Sequence, residues 1–309
     1  MNDRRYAMNV AVSQMSFWRE PRHTWEKIGS VVPGLEMLFG GPPDDDTSKQ
    51  VQELELLIAQ GVNGLVVFSN NAKAVAPAID RAIEKGIPVV TAFADVPDSK
   101  RIAHIGADQA RLASAIARRV KEDFKDLLHG KRPNVLVTVG RRASEDQAER
   151  LKGIELEMKN EVQSLECVED RFDPETAEAV VLDAFEKYRN IDIIFGCNSQ
   201  SAIGAVRALR KLRKRPGQVV VTGWDSEKEV LRQIKAERVG EGWIHATAVL
   251  YSSYMVQLCY GLLEAENFGY LYPDTLNTRE LHLPAVPGRI EIPMEKVVTW
   301  RNVEEYLKQ

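Results

Sequence analysis

Polar, charged and aromatic side chains follow the predicted strands, and their types suit a small molecule rich in hydroxyl groups. Carboxylate, amide and guanidinium groups can each bond two hydroxyls at once, and Asp225, Asn198 and Arg150 supply one of each. Aromatic rings such as Phe17 and Trp18 can pack on the C–H groups of such a molecule. The candidate ligand-binding residues are Ser16, Phe17, Trp18, Arg19, Asn70, Phe93, Arg141, Arg150, Asn198, Asp225 and His245.

Each polar candidate also has a purely structural interpretation. Asp225 follows a predicted strand, so it could cap the next helix. Asn198 could be a turn former. Arg150 could be an exposed helical arginine paired with Glu145 or Glu149. Both interpretations stay open for each residue at this stage.

The aromatic candidates and the histidine have similar alternatives. Phe17 and Trp18 could pack beneath a loop, and Trp243 at a strand end fits the core as well as a site. Trp224 is a further candidate for stacking on a ligand. A lone histidine such as His245 is more often structural than functional.

Short apolar runs alternate with helical patterns in the first half of the chain. Strands are predicted at Asn9–Ser13, Glu36–Gly40, Gly64–Ser69, Ile87–Ala92 and Ile102–Gly106. Helices are predicted at Lys49–Gln60 and Ala74–Lys85, with Asp46 as a cap and Gly61 and Gly86 as stops. Strands separated by helices of about 10–15 residues predict right-handed crossovers and a parallel sheet.

The same alternation restarts after a predicted helix over Gln109–Leu127. Further strands are predicted at Val135–Val139, Ser164–Val168, Asp192–Phe195, Gln218–Thr222 and Gly240–Trp243. Further helices are predicted at Glu145–Lys159, Pro174–Tyr188, Gln200–Arg213, Glu227–Ala236 and Ala246–Ala265. In the tail, a strand is predicted at Lys296–Trp300 and a helix at Val303–Lys308. The predicted fold class is α/β, with two similar doubly wound parallel sheets and a tail long enough to return to an earlier sheet.

Length and charge exclude several classes of protein. The chain has 309 residues, enough for about two domains, and 41 basic against 45 acidic residues give a net charge of −4. This balance argues against a nucleic-acid partner. Every apolar run is far shorter than the roughly 20 residues of a membrane span. The first ten residues lack an apolar segment, so no signal peptide is predicted in this sequence.

The sequence predicts no enzyme, cofactor or metal site. Cys167, Cys197 and Cys259 are widely spaced and form no CxxC pair. The GxGxxG, Walker A, GxSxG and HExxH patterns are absent, which argues against the corresponding nucleotide and hydrolase chemistries. The acidic run Asp44–Asp46 precedes a predicted helix, where capping and solvation explain it.

Several motifs occur in an order and spacing that resemble one known family. The first half contains Gln50-x-x-x-Leu54-x-x-Leu57-Ile58-Ala-Gln-Gly61-Val62-x-Gly64-Leu65, Ala82-x-x-x-Gly86-Ile87-Pro88 and Ile105-Gly106-x-Asp108. The second contains Ala148-Glu149-Arg150-x-x-Gly153, Phe195-x-x-Asn198 and Val221-x-Gly223-Trp224-Asp225. Over residues 8–309 the sequence is similar to sugar-type periplasmic solute-binding proteins.

This resemblance implies a ribose-binding-protein-like architecture of two lobes with a ligand cleft between them. The implied lobes are residues 1–107 with 246–295, and residues 108–245 with 296–309. The implied chain crossings lie near Ala107–Asp108, His245–Ala246 and Pro293–Val297. The resemblance also implies an extracytoplasmic protein, either periplasmic or membrane-anchored, that presents a small carbohydrate or sugar derivative to an ABC permease. Arg150, Asn198 and Asp225 match ligand-gripping positions, and His245 is aligned with a position where the family often has glutamine.

The sequence departs from the family pattern at two points of the predicted site. Phe93 stands where sugar binders usually have an aspartate, and Asp95 aligns with a different aspartate. The Ser16–Arg19 loop lacks the frequent Asn-Pro-aromatic pattern. These departures predict a ligand with fewer hydroxyls than a common pentose or hexose.

Arginines suggest a second hypothesis, an anionic group on the ligand. Arg141 and Arg142 follow a predicted strand where smaller residues are common. With Arg19 and Arg150 they would make the cleft positive, although a solvated surface is the simpler explanation of Arg141 and Arg142.

Two other functions share this predicted fold. A sensor subunit would report the sugar to a membrane histidine kinase instead of delivering it. A transcription regulator would carry a DNA-binding segment of about 60 residues before the first strand, whereas the first strand here is predicted near Asn9.

Overall fold

Two parallel sheets with helices on their faces form the described parts of the chain. The computed structural model describes residues 4–125, 132–188, 190–268, 285–286, 289–291 and 297–307. The predicted ends of helices at Leu127 and Lys308, the strand start at Lys296 and most of the Pro293–Val297 crossing lie outside these residues. Within them the α/β class is confirmed.

The chain divides into two compact units, each built from several segments. The first unit comprises Met1–Asp108, Ala143–Asp146 and Tyr251–Pro293, and the second comprises Gln109–Arg142, Gln147–Leu250 and Met294–Gln309.

The first unit contains a sheet of the order β11-β12-β5-β4-β3-β1-β2. Its strands are β1 (Arg4–Asn9), β2 (Leu35–Gly40), β3 (Gly64–Val67), β4 (Val89–Ala92), β5 (Ala103–Gly106), β11 (Ala285–Val286) and β12 (Arg289–Glu291). Its helices are α1 (Arg19–Val31), α2 (Thr47–Ala59), α3 (Ala72–Glu84) and α9 (Ser252–Asn267), with a 3₁₀ turn at Ser16–Trp18. β1 to β5 pair in parallel, and β12 adds to β5 in the same sense, so part of the tail returns to an earlier sheet as predicted.

The second unit repeats this arrangement with the order β13-β10-β9-β8-β6-β7. Its strands are β6 (Asn134–Val139), β7 (Ser164–Glu169), β8 (Ile193–Gly196), β9 (Val220–Trp224), β10 (Ile244–Ala248) and β13 (Val297–Thr299). Its helices are α4 (Gln109–Asp123), α6 (Pro174–Tyr188), α7 (Ser199–Lys211), α8 (Lys228–Glu237) and α10 (Glu304–Leu307), and α5 (Glu145–Met158) begins in the first unit and continues here. β13 is antiparallel to β10, which is a second return of the tail.

Fully buried strands and capped helices explain why these segments fold as they do. Every residue of β3 and β8 is buried, as expected of parallel strands covered on both faces. Asp46 caps α2 by accepting from the Lys49 N–H at 3.0 Å, and Gly61 follows that helix with a φ of 66°. These features confirm the predicted cap and stop of α2, which begins at Thr47 instead of the predicted Lys49.

Two features bear on membrane and metal association. Among the residues described above, no helix has the length and apolarity needed to cross a bilayer. Within the same residues, no group of three or more His, Cys, Asp or Glu side chains is placed to hold a metal ion.

Candidate functional site

The order of the strands reverses direction beside one central strand of each sheet. In the first unit β1 lies between β2 and β3, and in the second unit β6 lies between β7 and β8. Chain connections leave such a central strand and its neighbour in opposite directions, and ligands of open α/β sheets bind at this point, beyond the carboxyl ends of the strands. We call the loops that follow the parallel strands the carboxyl edge of each unit.

Aromatic rings cover the carboxyl edge of the first unit. The 3₁₀ turn after β1 brings Phe17 and Trp18 against Phe93, with ring centroids 5.3 and 5.4 Å apart and near-perpendicular planes. Phe68, which follows β3, lies 5.0 Å from Trp18. Trp18, Phe68 and Phe93 are buried, and Phe17 is partly exposed. The structure therefore brings together three of the predicted site residues and adds Phe68.

The loop after β3 is held by buried amide groups. Gln50 of α2 donates to the Phe68 carbonyl at 2.7 Å and accepts from the Ser69 hydroxyl at 2.9 Å. The predicted site residue Asn70 is 1% exposed and donates to Asp45 at 3.0 Å. Asp45 thus belongs to the network that orients Asn70, a role beyond the capping and solvation predicted for the acidic run.

The Asp95 carboxylate accepts hydrogen bonds from neighbouring protein groups. Its carboxylate accepts two hydrogen bonds from Arg101, at 2.6 and 2.7 Å, and one each from the Thr91 hydroxyl at 2.9 Å and the Val96 N–H at 2.7 Å. Burial by itself raises the pKa of Asp95, but the Arg101 hydrogen bonds and the nearby His104 hold it below the ordinary aspartate value. Asp95 therefore supports the loop after β4.

Arg150 lies at the carboxyl edge of the second unit and is buried. Its Nε donates to Gln109 at 2.9 Å and its Nη1 donates to the Cys197 carbonyl at 2.6 Å. The guanidinium carbon lies 4.3 Å from the centroid of the Trp224 ring, within cation–π distance. Arg150 is 4% exposed, so the interpretation of an exposed helical arginine is wrong.

Asp225 stands directly after β9 and does not cap the next helix. The N-cap of α8 is Glu227. The Asp225 carboxylate accepts from the Ser199 hydroxyl at 3.2 Å, and its backbone N–H donates to the Ala248 carbonyl at 2.7 Å. The capping alternative for Asp225 is therefore wrong.

Asn198 acts as a helix cap. Its side-chain oxygen accepts from the Ser201 N–H at 2.8 Å, at the start of α7. The residue is 2% exposed and follows β8, so it holds the helix start beside the Cys197 carbonyl that binds Arg150.

Sequence reasoning missed Phe172, which lies at the same edge after β7. Its ring packs on the backbone of Gly140, where an added Cβ would lie 2.1 Å from the ring. A side chain at position 140 would displace the ring, so this pair requires glycine. The signal in the sequence was the Asp170-Arg171-Phe172-Asp173 run after a predicted strand, with a phenylalanine in a polar loop.

The remaining predicted residues near the strand ends are more exposed. Ser16 and Arg19 are exposed in the first unit, and Arg141 is half-buried after β6. Arg142 is exposed and turned back to β7, where its guanidinium donates to the Cys167 carbonyl at 2.6 Å.

The structure does not bring His245 to the carboxyl edge. His245 is the second residue of β10, near the amino end of that strand, and Asp225 is bonded to Ala248 at the other end. Its two ring nitrogens lie 2.5 Å from Glu237 and 2.9 Å from Asp123. His245 is therefore part of a hydrogen-bonded cluster beside α4 and α8 and lies outside the proposed site.

Comparisons with known proteins agree on one family. The family described as "Periplasmic binding protein domain" matches residues 7–267. The chain is 25% identical over 195 residues to the ribose import binding protein RbsB of Bacillus subtilis, which covers 63% of this chain and 61% of that protein. It is 28% identical over 220 residues to a D-ribose/D-allose-binding protein of Pseudomonas aeruginosa, which covers 66% of this chain and 65% of that protein. The matches thus span less than two thirds of the length of these curated relatives.

A solved structure shares the fold over nearly the whole chain. GanP, a glucose-galactose binding protein from Geobacillus stearothermophilus, superposes with a TM-score of 0.82 at 18% identity, covering 98% of this chain and 99% of that one. Since the family match extends over 261 of the 309 residues (267 − 7 + 1), this chain belongs to the periplasmic binding protein domain family.

Proposed function

We propose that this chain is an extracytoplasmic solute-binding protein that binds a small carbohydrate or sugar derivative and delivers it to an ABC permease. The observation that carries the proposal is that the buried Arg150 guanidinium lies over the ring of Trp224, the residue directly before Asp225, at one carboxyl edge. Family membership supports the extracytoplasmic location. The sugars in the names of the two curated relatives support the ligand class.

The chemistry of these two side chains fits vicinal hydroxyl groups. A sugar hydroxyl both donates and accepts hydrogen bonds, so it can accept from the Arg150 guanidinium and donate to the Asp225 carboxylate. Both side chains are held by protein groups, which lowers the entropy lost when the ligand binds.

We also propose that both units contribute to the bound state. The aromatic rings Phe17, Trp18 and Phe93 of the first unit would contact the ligand held by Arg150 and Asp225 of the second. A ligand that binds both units stabilises the conformation in which both contact it, by the difference in its affinity for the two states.

Titration calorimetry with pentoses, hexoses, deoxy-sugars, polyols and sugar acids tests the proposed function. We expect one of these classes to bind. Asp225→Asn and Arg150→Met should each weaken that binding about 10- to 100-fold, because each removes a charge-assisted hydrogen bond worth about 1.5–3 kcal/mol.

Arg142→Met is the matched control, since it removes an exposed arginine whose guanidinium is bonded to the β7 backbone. We expect its affinity to be unchanged. Absence of binding by every sugar class, or equal affinity in all three variants, would contradict the proposal.

The permease partner is tested separately in the native cell. We expect deletion of the gene to abolish uptake of the radiolabelled ligand and re-expression to restore it. If uptake persists while transcription of other genes stops responding to the ligand, the chain is a sensor subunit.

A further inference from the structure

Phe93 and Asp225 occupy equivalent positions in the two units. β4 and β9 have the same place in their sheets, beside β5 and β10. Each is followed directly by a residue with positive φ, 67° at Phe93 and 70° at Asp225. The N–H of Phe93 donates to Ile105 of β5 at 3.0 Å, and the N–H of Asp225 donates to Ala248 at the end of β10 at 2.7 Å.

The two positions differ in chemistry. Asp225 places a carboxylate at its carboxyl edge, and Phe93 places a phenyl ring at the other. Left-handed backbone is tolerated by aspartate and asparagine but is unfavourable for a bulky aromatic residue. Such a backbone outlier persists where the surrounding structure requires it, and these outliers cluster at ligand sites. Three aromatic neighbours fix this ring, with centroids 5.3 Å (Phe17), 5.4 Å (Trp18) and 6.4 Å (Phe68) away.

Asp95 does not replace the carboxylate that Phe93 lacks. Arg101, the Thr91 hydroxyl and the Val96 N–H already donate to its carboxylate. The end of β4 therefore carries aromatic C–H and π groups where the end of β9 carries a hydrogen-bond acceptor.

We propose that Phe93 determines the ligand class: the bound carbohydrate presents a hydroxyl-poor, C–H- or methyl-rich side to the first unit and its hydroxyl-rich side to Arg150 and Asp225. Deoxy-sugars and methyl-bearing sugars have this two-sided character. The inference rests on the proposed function and narrows its substrate class. A ligand hydroxyl buried against Phe93 and its aromatic neighbours would lose its hydrogen bonds to water without gaining an acceptor.

Matched sugar pairs that differ by one hydroxyl test the inference on the unmodified protein. The pairs are 6-deoxy-D-glucose with D-glucose, D-fucose with D-galactose, L-rhamnose with L-mannose and 2-deoxy-D-ribose with D-ribose. Calorimetry should give at least one pair in which the deoxy member binds about tenfold or more tightly. Equal or tighter binding of the hydroxylated member in every pair that binds overturns the inference and leaves the proposed function standing. If no member of any pair binds but another carbohydrate does, the preference for a deoxy ligand is wrong; if no carbohydrate binds, both proposals fail.

Substitution at position 93 tests the cause of the selectivity. Phe93→Asn removes the ring and supplies a hydrogen-bonding group in a residue type that accepts the positive φ. We expect the preference for the deoxy member to fall to about threefold or less, or to reverse. Phe39→Leu is the control, because Phe39 touches Trp18 from outside this set with centroids 6.3 Å apart, and its selectivity should match the unmodified protein. Selectivity retained in a folded Phe93→Asn protein, checked by circular dichroism, would show that Phe93 is not the determinant.

Discussion

Asp170 is a buried carboxylate beside the proposed site and sensitive to pH. It follows β7, is 0% exposed, and accepts hydrogen bonds from the Ser201 hydroxyl and from the Phe172 N–H at 2.9 Å. Burial raises the pKa of Asp170 from 3.8 to about 6, since no bulk water solvates its charge. The folded state therefore favours the protonated form.

The sign of the resulting pH dependence follows from the raised pKa. The stability that Asp170 contributes is fully present below about pH 4 and is lost as the pH rises through about 6. Asparagine has the shape of aspartic acid and stays neutral at every pH, so the Asp170→Asn variant does not lose this stability. Relative to wild type, the free energy of unfolding of the variant should rise between pH 4 and 7 by up to roughly 3 kcal/mol. Urea unfolding at several pH values measures this difference. The exposed Asp98→Asn variant is the control, and a flat difference for Asp170→Asn would refute the expectation.

Single residues show how far sequence reasoning reaches into the site. Position after a strand correctly placed Phe93 and Asp225 at carboxyl edges, because that relation depends only on strand ends. The roles of Asp170 and Phe172 were missed, because burial of an acid and packing of a ring on Gly140 depend on contacts between separate segments.

At the scale of elements, His245 joins α4, β10 and α8. Its ring lies between Asp123 of α4 and Glu237 of α8, and Arg119 and Arg301 also donate to Asp123. Burial by itself raises the pKa of Asp123, but the Arg119 and Arg301 hydrogen bonds and the nearby histidine hold it below the ordinary aspartate value. His245, which the sequence suggested as a ligand contact, thus links three elements of the second unit through hydrogen bonds.

Replacement of this ring should weaken the second unit. The glutamine amide carries its donors on one nitrogen, so His245→Gln can keep the hydrogen bond to only one of the two carboxylates. We therefore expect a loss of about 2 kcal/mol in the free energy of unfolding. Sugar affinity should change little, because His245 lies away from Asp225. His23→Gln, at an exposed histidine of α1, is the control for urea unfolding. A stability equal to wild type would mean that these hydrogen bonds contribute nothing net to the free energy of unfolding.

The predicted boundaries of helices and strands are wrong where tertiary contacts outweigh the local sequence pattern. The strand predicted at Gly240–Trp243 is β10 at Ile244–Ala248, because pairing with β9 and β13 recruits a run that also fits a helix. The helix predicted at Ala246–Ala265 consequently begins only at Ser252.

Two further elements were misplaced or missed because their sequences are rich in charged residues. The strand predicted at Asn9–Ser13 is β1 at Arg4–Asn9, where Arg4 and Arg5 are paired with Glu264 and Glu36. The charged helix α1 was not predicted. It is anchored by Trp25, which is fully buried and donates to the Leu38 carbonyl at 2.8 Å.

At the scale of the whole molecule, periodicity sufficed to predict two similar α/β sheets, because the alternation of strand and helix repeats within one chain. It did not predict that each sheet carries different chemistry at the same position. That difference appears once Phe93 and Asp225 are compared through their shared backbone geometry.

A ligand that contacts both carboxyl edges should stabilise both units together. At a ligand concentration 100 times the dissociation constant, binding contributes about 2.7 kcal/mol to the bound state. Hydrogen exchange followed by mass spectrometry should then show slower exchange after β1 and β4 as well as after β8 and β9. Asp225→Asn, measured at the same ligand concentration, should lose protection in the first unit too, although the substitution is in the second. Protection confined to one unit would mean that a single unit binds the ligand, and the two-sided recognition inferred from Phe93 and Asp225 would be wrong.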